Sequence, residues 1–310
     1  MPRALCALAL LLLAAAAVGA QPPRNVTYDS RSLLLDGQRA NLVSGSLHYQ
    51  RIVPADWPRA LALAKEMGLN TVQTYVFADQ HFPTASGPPT FAGQHNLTAF
   101  TALAHSLGLH VVVRIGPYIC GEHFNGGVPQ WLRSSGAACF RCSDPVWEAF
   151  SVRVLREVVG QLTAAQQLHT QGGPVILLQV ENEYGGGDLA YLERMVAAAR
   201  NLTTAVPWIL CHDQELCSQV NAGAPEPLAL CTINGFWMEQ LSPFVDQPSP
   251  AWVAEQRKNN PTQPFAWTED QGACPGASAR ARRCHAAPCP HAAPPTPPSP
   301  PPPLLRARLV

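Results

Sequence analysis

The pattern of apolar and polar residues is sharpest around one short run, from Val175 to Leu178. Four apolar residues in succession, with glycines at 172–173 before them and at 185–187 after them, predict a strand that is buried on both faces, as in a parallel sheet. Charged and amide side chains follow this run at Glu181, Asn182 and Glu183. Because ligands of α/β folds bind beyond the carboxyl ends of the strands, these three residues are candidates for chemistry.

Further short runs rich in apolar and β-branched residues have the same character. We expect strands at Leu42–Val43, Asn70–Val76, Leu109–Ile115, Pro207–Cys211, Pro227–Thr232 and Pro264–Thr268. Apolar residues that recur with helical spacing predict helices at Asp56–Met67, Leu97–Leu107, Ser143–Leu162 and Leu189–Leu202. Ahead of the first strand, the dipeptide Asp36-Gly37 predicts a hairpin turn.

The alternation of strands and helices defines the fold class. Strands that are joined by a helix need crossover connections, and such crossovers build parallel sheets. Counted from Leu42, seven strands are predicted, with polar residues gathered after their ends. We therefore predict an α/β fold of the (β/α)8 TIM-barrel type, incomplete after strand seven. A doubly wound sheet is the alternative, although no G-x-G-x-x-G motif follows the first strand.

Composition divides the chain into three parts. Residues 1–20 combine an early arginine, an apolar stretch and a small-residue end, which is the pattern of a secretory signal peptide. Residues 21–272 form the predicted barrel, which lacks its last strand and helix. Residues 273–310 contain eleven prolines, five arginines and no acidic residue. Such a segment buries too little apolar surface to offset the entropy lost on ordering, so we expect a disordered tail.

The charges and sequons limit the possible partners and compartment. The 310 residues include 21 basic and 21 acidic side chains, so the net charge gives no reason to expect nucleic acid as a partner. Beyond the signal peptide, no apolar stretch reaches the roughly 18 to 20 residues that a membrane span needs. Sequons at Asn25, Asn96 and Asn201 predict N-glycosylation in the secretory pathway, with an extracellular, vacuolar or lysosomal destination.

The cysteines fit an oxidising compartment. Ten are present, and one lies in the predicted signal peptide, which leaves an odd number in the mature chain. The isolated C-x-x-C pair Cys139 and Cys142 predicts a loop disulfide or two free thiols in preference to a zinc site. Cys211, Cys217 and Cys231 are candidates for another disulfide, whose connectivity the sequence leaves open.

Two glutamates, Glu183 and Glu269, stand at the ends of predicted strands four and seven. If both carboxyls face one pocket, they form the pair that glycoside hydrolysis needs: one protonates the leaving oxygen and the other, ionised, attacks the anomeric carbon. A separation of about 5 to 5.5 Å predicts retention of configuration, and roughly 6.5 to 9.5 Å predicts inversion. Side chains that offer apolar faces or donors to a sugar are Tyr75, Tyr118, Asn182, Tyr184, Trp237 and Trp267.

Six motifs occur in order between Tyr28 and Gly272. They are SGSLHYQR from Ser44, GLNTVQTYV from Gly68, GPYICGE from Gly116, GGVPQWL from Gly126, GGPVILLQVENEYG from Gly172 and WTEDQG from Trp267. Together they resemble the family-35 glycoside hydrolases, the β-galactosidases of plants, protists and lysosomes. The resemblance implies a retaining exo-β-galactosidase that acts on a β-galactoside oligosaccharide, polysaccharide or glycoconjugate and needs no metal or organic cofactor.

The same resemblance implies roles for particular residues. Glu183 is expected to be the acid/base, and Glu269 the nucleophile of a double displacement. Matches to the positions that hold the galactosyl ring are Tyr75, Cys120, Gly121, Glu122 and Asn182. Asn182 is expected to hydrogen-bond to the sugar 2-OH. Glu181, the near neighbour of Glu183, is not expected to act.

The chain also departs from the family pattern. Phe77 to Phe82 replaces the usual Pro-Trp-Asn-x-His-Glu, so a sugar-contacting Glu and a Trp are missing, and His123 stands where Trp is usual. After Gly272 the proline-rich tail replaces the family's continuation. Two alternatives to an active enzyme therefore stay open: a galactoside-binding protein without turnover, and an unstable, truncated product of a β-galactosidase gene.

Overall fold

A computed structural model describes residues 24–211, 214–235 and 250–270, and the predicted signal peptide and tail lie outside these ranges. A small antiparallel sheet comes first, with strands β1 (Val26–Tyr28), β2 (Leu33–Leu35) and β3 (Gln38–Ala40) in that order. Asp36 and Gly37 join β2 to β3 with φ of 53° and 78°, the positive angles of a two-residue type I′ turn. The predicted turn is present, but its outgoing strand is β3, because pairing resumes directly after so tight a turn.

In the part of the chain that the structure describes, seven parallel strands form the main sheet. They are β4 (Ser44–Ser46), β5 (Thr71–Tyr75), β6 (His110–Gly116), β7 (Val175–Val180), β8 (Trp208–Cys211), β9 (Leu230–Gly235) and β10 (Trp267–Asp270). Each strand pairs with the next one in sequence, so the spatial order equals the chain order. A doubly wound sheet would reverse that order at a switch point. The arrangement confirms the predicted (β/α)8-type barrel, with seven of its strands among the described residues.

The first of these strands begins later than predicted. The apolar pair Leu42–Val43 suggested it, whereas the parallel ladder starts at Ser44, opposite Thr71 of β5. Val43 is 47% exposed, so its apolar side chain is not evidence of a buried strand at this position. The carbonyl of Val43 accepts hydrogen bonds from the N–H groups of Asn70 and Thr71 and leads the chain into register.

Helices provide the crossovers between the parallel strands. They are α1 (Trp57–Glu66), α2 (Ala78–His81), α3 (Leu97–Ser106), α4 (Pro145–Ala164), α5 (Leu189–Leu202), α6 (Gln214–Asn221) and α7 (Pro250–Asn259). Short 3-10 segments are Tyr49–Arg51, Pro54–Asp56, Gly93–His95, Phe124–Gly127, Gln130–Ser134 and His169–Gln171. The four predicted helices are found as α1, α3, α4 and α5. Sequence reasoning missed α2, which is one turn long, α6, which is short, and α7, which lacks a continuous apolar stripe.

Side-chain caps fix where three of the crossover helices begin. Asn96, Asp144 and Asp188 each accept hydrogen bonds from backbone N–H groups in the first turns of α3, α4 and α5.

Among the residues that the structure describes, none of the helices combines the length and the apolar composition that crossing a bilayer requires.

The central strands are buried on both faces. Every residue of β5, β7 and β8 is buried, as the continuous apolar run of β7 predicted. Polar side chains nevertheless lie inside the sheet at Gln73, Arg114 and Gln179. Buried polar groups are costly unless they are hydrogen-bonded. The hydrogen bonds of Arg114 and Gln179, together with the ion pair of Arg114, lead directly to the ends of β7 and β10.

Candidate active site

The chain turns sharply where β7 ends. Glu181 and Glu183 both have left-handed backbone conformations, with φ of 57° and 45°. Positive φ is unfavourable for residues that carry a side chain, and such strain concentrates at functional sites. The Glu181 N–H donates to the Gly116 carbonyl on β6 at 3.0 Å, and the Glu183 N–H donates to the Cys211 carbonyl on β8 at 2.9 Å. Both neighbouring strands therefore hold the turn.

The Glu183 carboxyl lies beside β9. Asn234 Nδ2 donates to Glu183 Oε1 at 3.0 Å. Glu183 is solvent-exposed as a whole residue. Surrounding protein atoms still desolvate the carboxyl, which is the main reason why its pKa is raised, and the charge of Glu269 adds to the rise. The Asn234 hydrogen bond and the charges of Arg114 and Arg141 lower the pKa but do not cancel the rise. A raised pKa suits a general acid.

The Glu269 carboxylate is bound by one hydrogen bond and one ion pair from across the barrel. The Tyr75 hydroxyl donates to Glu269 Oε1 at 3.0 Å, and Arg114 Nη2 lies 2.5 Å from the same oxygen. The Glu269 side chain is 17% exposed, and Arg114 is fully buried. A guanidinium and a phenol that share one carboxylate oxygen favour its ionised form. The two glutamates thus have contrasting surroundings.

Sequence reasoning missed Arg114, which connects several parts of the site. Its Nε donates to Gln179 Oε1 and its Nη1 to the Ile119 carbonyl, both at 3.2 Å. Its Cζ lies 3.8 Å from the centroid of the Tyr75 ring. The sequence signal is a lone cation inside the apolar run VVVRIG of β6. A charge buried in a strand must be paired, and here the partner is Glu269.

Asn182 is fully buried next to Gln179. Gln179 Nε2 donates to Asn182 Oδ1 at 3.0 Å, which orients the amide. Asn182 Nδ2 is then a buried donor that has no hydrogen-bond partner among the described residues. An unpaired buried donor is costly, so it marks a place where a ligand acceptor would be stabilised.

The loop after β6 packs against Tyr75. Cys120, Gly121 and Glu122 all have positive φ, between 46° and 62°. A Cβ on Gly121 would lie 3.0 Å from the Tyr75 ring, so a side chain here would be crowded by the ring as well as strained by the positive φ. Arg51 Nη2 donates to the carbonyls of Gly121 and Glu122 and holds the loop. Cys120 is disulfide-bonded, and Glu122 is exposed at the rim.

His48 is a second residue of the site that sequence reasoning did not select. Its ring lies 4.1 Å from the Tyr75 ring, and its Nδ1 accepts the Tyr75 backbone N–H at 3.3 Å. Burial lowers the pKa of His48 to about 4, with the charges of Arg51 and Arg114 adding to the effect. A neutral imidazole therefore packs against the Tyr75 ring and accepts a hydrogen bond from the Tyr75 backbone. The polar residues that end the first predicted strand were the available signal.

The departures from the family pattern meet in space. His123 Nε2 lies 2.8 Å from Asp79 Oδ2, and both side chains are partly exposed. The His123 ring also packs against Phe77, with 4.6 Å between ring centroids. Residues from two of the atypical segments therefore form one polar pair beside the Glu122 loop.

Not every aromatic residue that sequence reasoning selected faces the site. Tyr184 is 2% exposed, and its ring packs against Tyr191, so it belongs to the core. Tyr118 lies under the Arg141 guanidinium at 4.0 Å. Trp267 packs against Phe265. Trp237 lies outside the described residues.

The cysteines and sequons occupy definite positions. Cys139 pairs with Cys142, as the loop-disulfide prediction states, and Cys217 pairs with Cys231. Cys211 is a buried thiol, and burial raises its pKa to about 12.

The asparagines of the three sequons differ in their surroundings. Asn25 and Asn201 are exposed, whereas Asn96 caps α3. Within the described ranges, no three His, Cys, Asp or Glu side chains converge as a metal site would require.

A parallel barrel that carries one carboxyl with a raised pKa and a second carboxyl bound by an arginine and a tyrosine, both at strand ends, is an arrangement typical of glycoside hydrolases. The family model described as "Glycosyl hydrolases family 35" matches residues 32–275. The chain belongs to this family.

Curated relatives agree with the family. The chain is 37% identical over 260 residues to "Beta-galactosidase 6" of Oryza sativa subsp. japonica, which covers 82% of this chain and 27% of that protein. It is 36% identical over 236 residues to "Beta-galactosidase 8" of Arabidopsis thaliana, which covers 74% of this chain and 26% of that protein. The chain therefore spans about a quarter of the length of these relatives.

Solved structures support the fold at low sequence identity. A hyperthermophilic endocellulase from the archaeon Pyrococcus horikoshii superposes with a TM-score of 0.52 at 10% identity, covering 84% of this chain and 86% of that chain. A β-D-glucuronidase from Dictyoglomus thermophilum gives a TM-score of 0.51 at 14% identity, covering 82% of this chain and 40% of that chain. At these identities the likeness concerns the barrel alone.

Proposed function

We propose that the chain carries the catalytic site of a retaining exo-β-galactosidase that releases terminal, non-reducing β-D-galactosyl residues. Membership of glycosyl hydrolase family 35 and the names of the relatives support the reaction class and the sugar. The observation that carries the assignment of roles is the contrast between the two glutamates. Glu183 has a raised pKa, whereas Glu269 shares one oxygen with Tyr75 and Arg114.

In the first step, Glu269 attacks the anomeric carbon and forms a galactosyl ester. The bond from that carbon to the leaving oxygen breaks, and Glu183 gives its proton to this oxygen. As the ester forms, negative charge leaves the Glu269 carboxylate. Arg114 and Tyr75 must therefore hold Glu269 for attack without binding its charge so tightly that nucleophilicity is lost.

In the second step, Glu183 acts as a base. Now ionised, it takes a proton from water, the water oxygen attacks the anomeric carbon, and the ester bond to Glu269 breaks. Two inversions at one carbon release galactose in the original β configuration. The proton returns to Glu183, which readies the site for another cycle.

The galactosyl ring is proposed to lie between the two glutamates, against Tyr75, Cys120, Gly121 and Glu122. The unpartnered Nδ2 of Asn182 supports this placement, because a sugar hydroxyl supplies the acceptor that it lacks. This interaction is proposed for the 2-OH, where a hydrogen bond strengthens toward the transition state. The substrate is proposed to be a β-galactoside oligosaccharide, polysaccharide or glycoconjugate.

The compartment is proposed to be the secretory pathway, with an extracellular, vacuolar or lysosomal destination. Two disulfides within the described residues suit an oxidising environment. The exposed positions of Asn25 and Asn201 suit glycan attachment.

Hydrolysis of a chromogenic aryl β-galactoside by the full chain tests the proposed function. We expect turnover that falls by about 10³-fold or more in Glu183→Gln and Glu269→Gln, because each change removes a group that bonds to the reacting atoms. Glu66→Gln, an exposed change on α1, serves as the control and should leave turnover unchanged. Calorimetric binding of galactose without hydrolysis would contradict the proposal and favour a sugar-binding protein.

A further inference from the structure

Arg141 lies in a four-residue loop that a disulfide closes. Cys139 and Cys142 pair across the loop, and Arg141 between them has a φ of 56°. Its side chain is only 9% exposed, because it points from the loop into the protein. A disulfide around so few residues limits the conformations that the loop can adopt, and thereby limits where the guanidinium can lie.

The Arg141 guanidinium forms hydrogen bonds with the two residues that precede Glu183. Its Nε and Nη2 donate to Glu181 Oε2 at 3.0 and 2.7 Å, and Nη2 also donates to the Asn182 carbonyl. The ring of Tyr118 covers the Arg141 Cζ at 4.0 Å. One side chain from a distant loop thus binds both residues of the turn that leads to Glu183.

Glu181 has no capacity left for catalysis. Its side chain is 0% exposed, and its Oε1 accepts the Tyr191 hydroxyl at 2.5 Å. The Tyr191 hydroxyl in turn accepts the Trp147 Nε1–H at 2.9 Å. A buried carboxylate that is bound on both oxygens is an anchor, and the removal of its cationic partner would leave an uncompensated charge.

The turn that Arg141 binds positions two side chains of the candidate site, those of Asn182 and Glu183. Glu181 and Glu183 both hold positive φ, so the turn needs outside contacts to stay in this conformation. Asn182, between them, carries the unpartnered Nδ2. A small rotation of these peptide planes would move the Glu183 carboxyl away from the leaving oxygen.

We propose that Arg141 is a positioning residue of the reaction, and that the Cys139–Cys142 disulfide holds it in place. Through Glu181 and the Asn182 carbonyl, Arg141 fixes the turn that aims the Glu183 carboxyl at the leaving oxygen. This inference rests on the proposed function, since it assigns Arg141 a part in proton donation by Glu183. The charge of Arg141 also lowers the pKa of Glu183, in the same direction as the charge of Arg114 and against that of Glu269.

The test compares two substrates of the full chain, phenyl β-galactoside and 2,4-dinitrophenyl β-galactoside. The phenyl leaving group needs a proton from Glu183, and the dinitrophenolate does not. For Arg141→Met we expect kcat/KM on the phenyl substrate to fall by about 10²-fold, the cost of a misplacement of about 1 Å. The fall on the dinitrophenyl substrate should be at least tenfold smaller. The alkaline limb of the pH profile should move to higher pH, because a cation that lowers the pKa of Glu183 is gone.

Arg153→Met is the matched control. Arg153 also binds backbone carbonyls, those of Ala85 and Gly87 at 2.9 and 2.7 Å, and covers the Phe82 ring, but it holds a loop that does not contact Glu183. Its loss should change kcat/KM for the two substrates by the same factor. If Arg141→Met does not fold, Arg141→Lys is used in the same two-substrate test. Lysine keeps the positive charge but cannot donate two hydrogen bonds in one plane as the guanidinium does.

Cysteine-to-serine variants test the role of the Cys139–Cys142 disulfide separately. Cys139→Ser with Cys142→Ser should shift the ratio of the two kcat/KM values in the same direction as Arg141→Met, whereas Cys217→Ser with Cys231→Ser should leave it unchanged. An active parent chain whose ratio stays constant in every Arg141 and Cys139/Cys142 variant would overturn this inference alone. A parent chain that hydrolyses neither substrate would overturn the proposed function, and this inference with it.

Discussion

The hydroxyl of Tyr75 on β5 donates to the carboxylate of Glu269 on β10 over 3.0 Å, although 194 residues separate them. In the order of the sheet the two strands are five spacings apart, which at about 4.8 Å per spacing would place them roughly 24 Å apart in a flat sheet. The contact therefore requires the sheet to curl, and it forms at the mouth of the barrel. This one hydrogen bond joins the first half of the barrel to the proposed nucleophile.

Tyr75→Phe should weaken the proposed nucleophile without unfolding the chain, because the ring and its packing against His48 are kept. We expect kcat/KM on an aryl β-galactoside to fall by about tenfold, which corresponds to one hydrogen bond to a charged group. Equilibrium unfolding in urea should show a loss of about 1.5 kcal/mol, which is small against the usual total stability of a domain. A variant with full activity would contradict the role of this bond.

Arg114→Met should cost stability as well as activity. The side chain is fully buried, so its loss leaves the Glu269 carboxylate without its cation, at a cost of about 3 kcal/mol in the free energy of unfolding. The double variant Arg114→Met with Glu269→Gln should be less destabilised than the sum of the two single variants, because no charge remains unpaired. Urea denaturation of the four proteins measures the coupling. Strict additivity would contradict a direct ion pair.

Asn234→Ala should shift the pH dependence of the reaction upward. The Asn234 hydrogen bond lowers the pKa of Glu183, so its loss raises that pKa further. A general acid works while it is protonated, and activity falls as the pH rises through its pKa. The alkaline limb of the profile of kcat/KM against pH should therefore lie at higher pH in the variant. An unchanged or lower limb would mean that Glu183 is not the acid.

Asn96 offers a test of the fold that is independent of catalysis. Its Oδ1 accepts the Ala99 N–H at 2.9 Å and caps α3. Asn96→Ala and Asn96→Asp both remove the sequon, but only the aspartate keeps a capping oxygen. The alanine variant should lose about 1 kcal/mol of unfolding free energy relative to the aspartate variant. Equal urea midpoints would contradict the cap.

The sequence predicted the barrel because its signals are local. The apolar run of β7, the helical stripes and the caps each depend on neighbours in the chain, and α5 is found with both predicted ends. Where the signal is weak, the prediction was wrong or incomplete. The apolar pair at Leu42–Val43 is partly exposed, and the ladder of β4 starts at Ser44 because pairing with β5 decides it.

The supporting residues of the site depend on contacts over long distances in sequence. Arg114 meets Glu269, and Arg141 meets Glu181, only after the sheet has curled and the disulfide loop has folded against it. No spacing in the chain encodes either pair. A cation inside the apolar run of β6 was visible as an anomaly, but its partner was not. The glutamates themselves were predicted because strand ends are where such folds place their chemistry, and their roles stay a proposal.

Trapping of the glycosyl-enzyme tests the central claim most directly. A 2-deoxy-2-fluoro-β-galactosyl donor with a good leaving group slows both steps, but slows hydrolysis of the ester more, so the covalent intermediate accumulates. Mass spectrometry of the digested chain should then find one fluorogalactosyl group on the peptide that contains Glu269, and none in the Glu269→Gln variant. A label on any other residue, or an active chain that never becomes labelled, would contradict the assignment of Glu269 as the nucleophile.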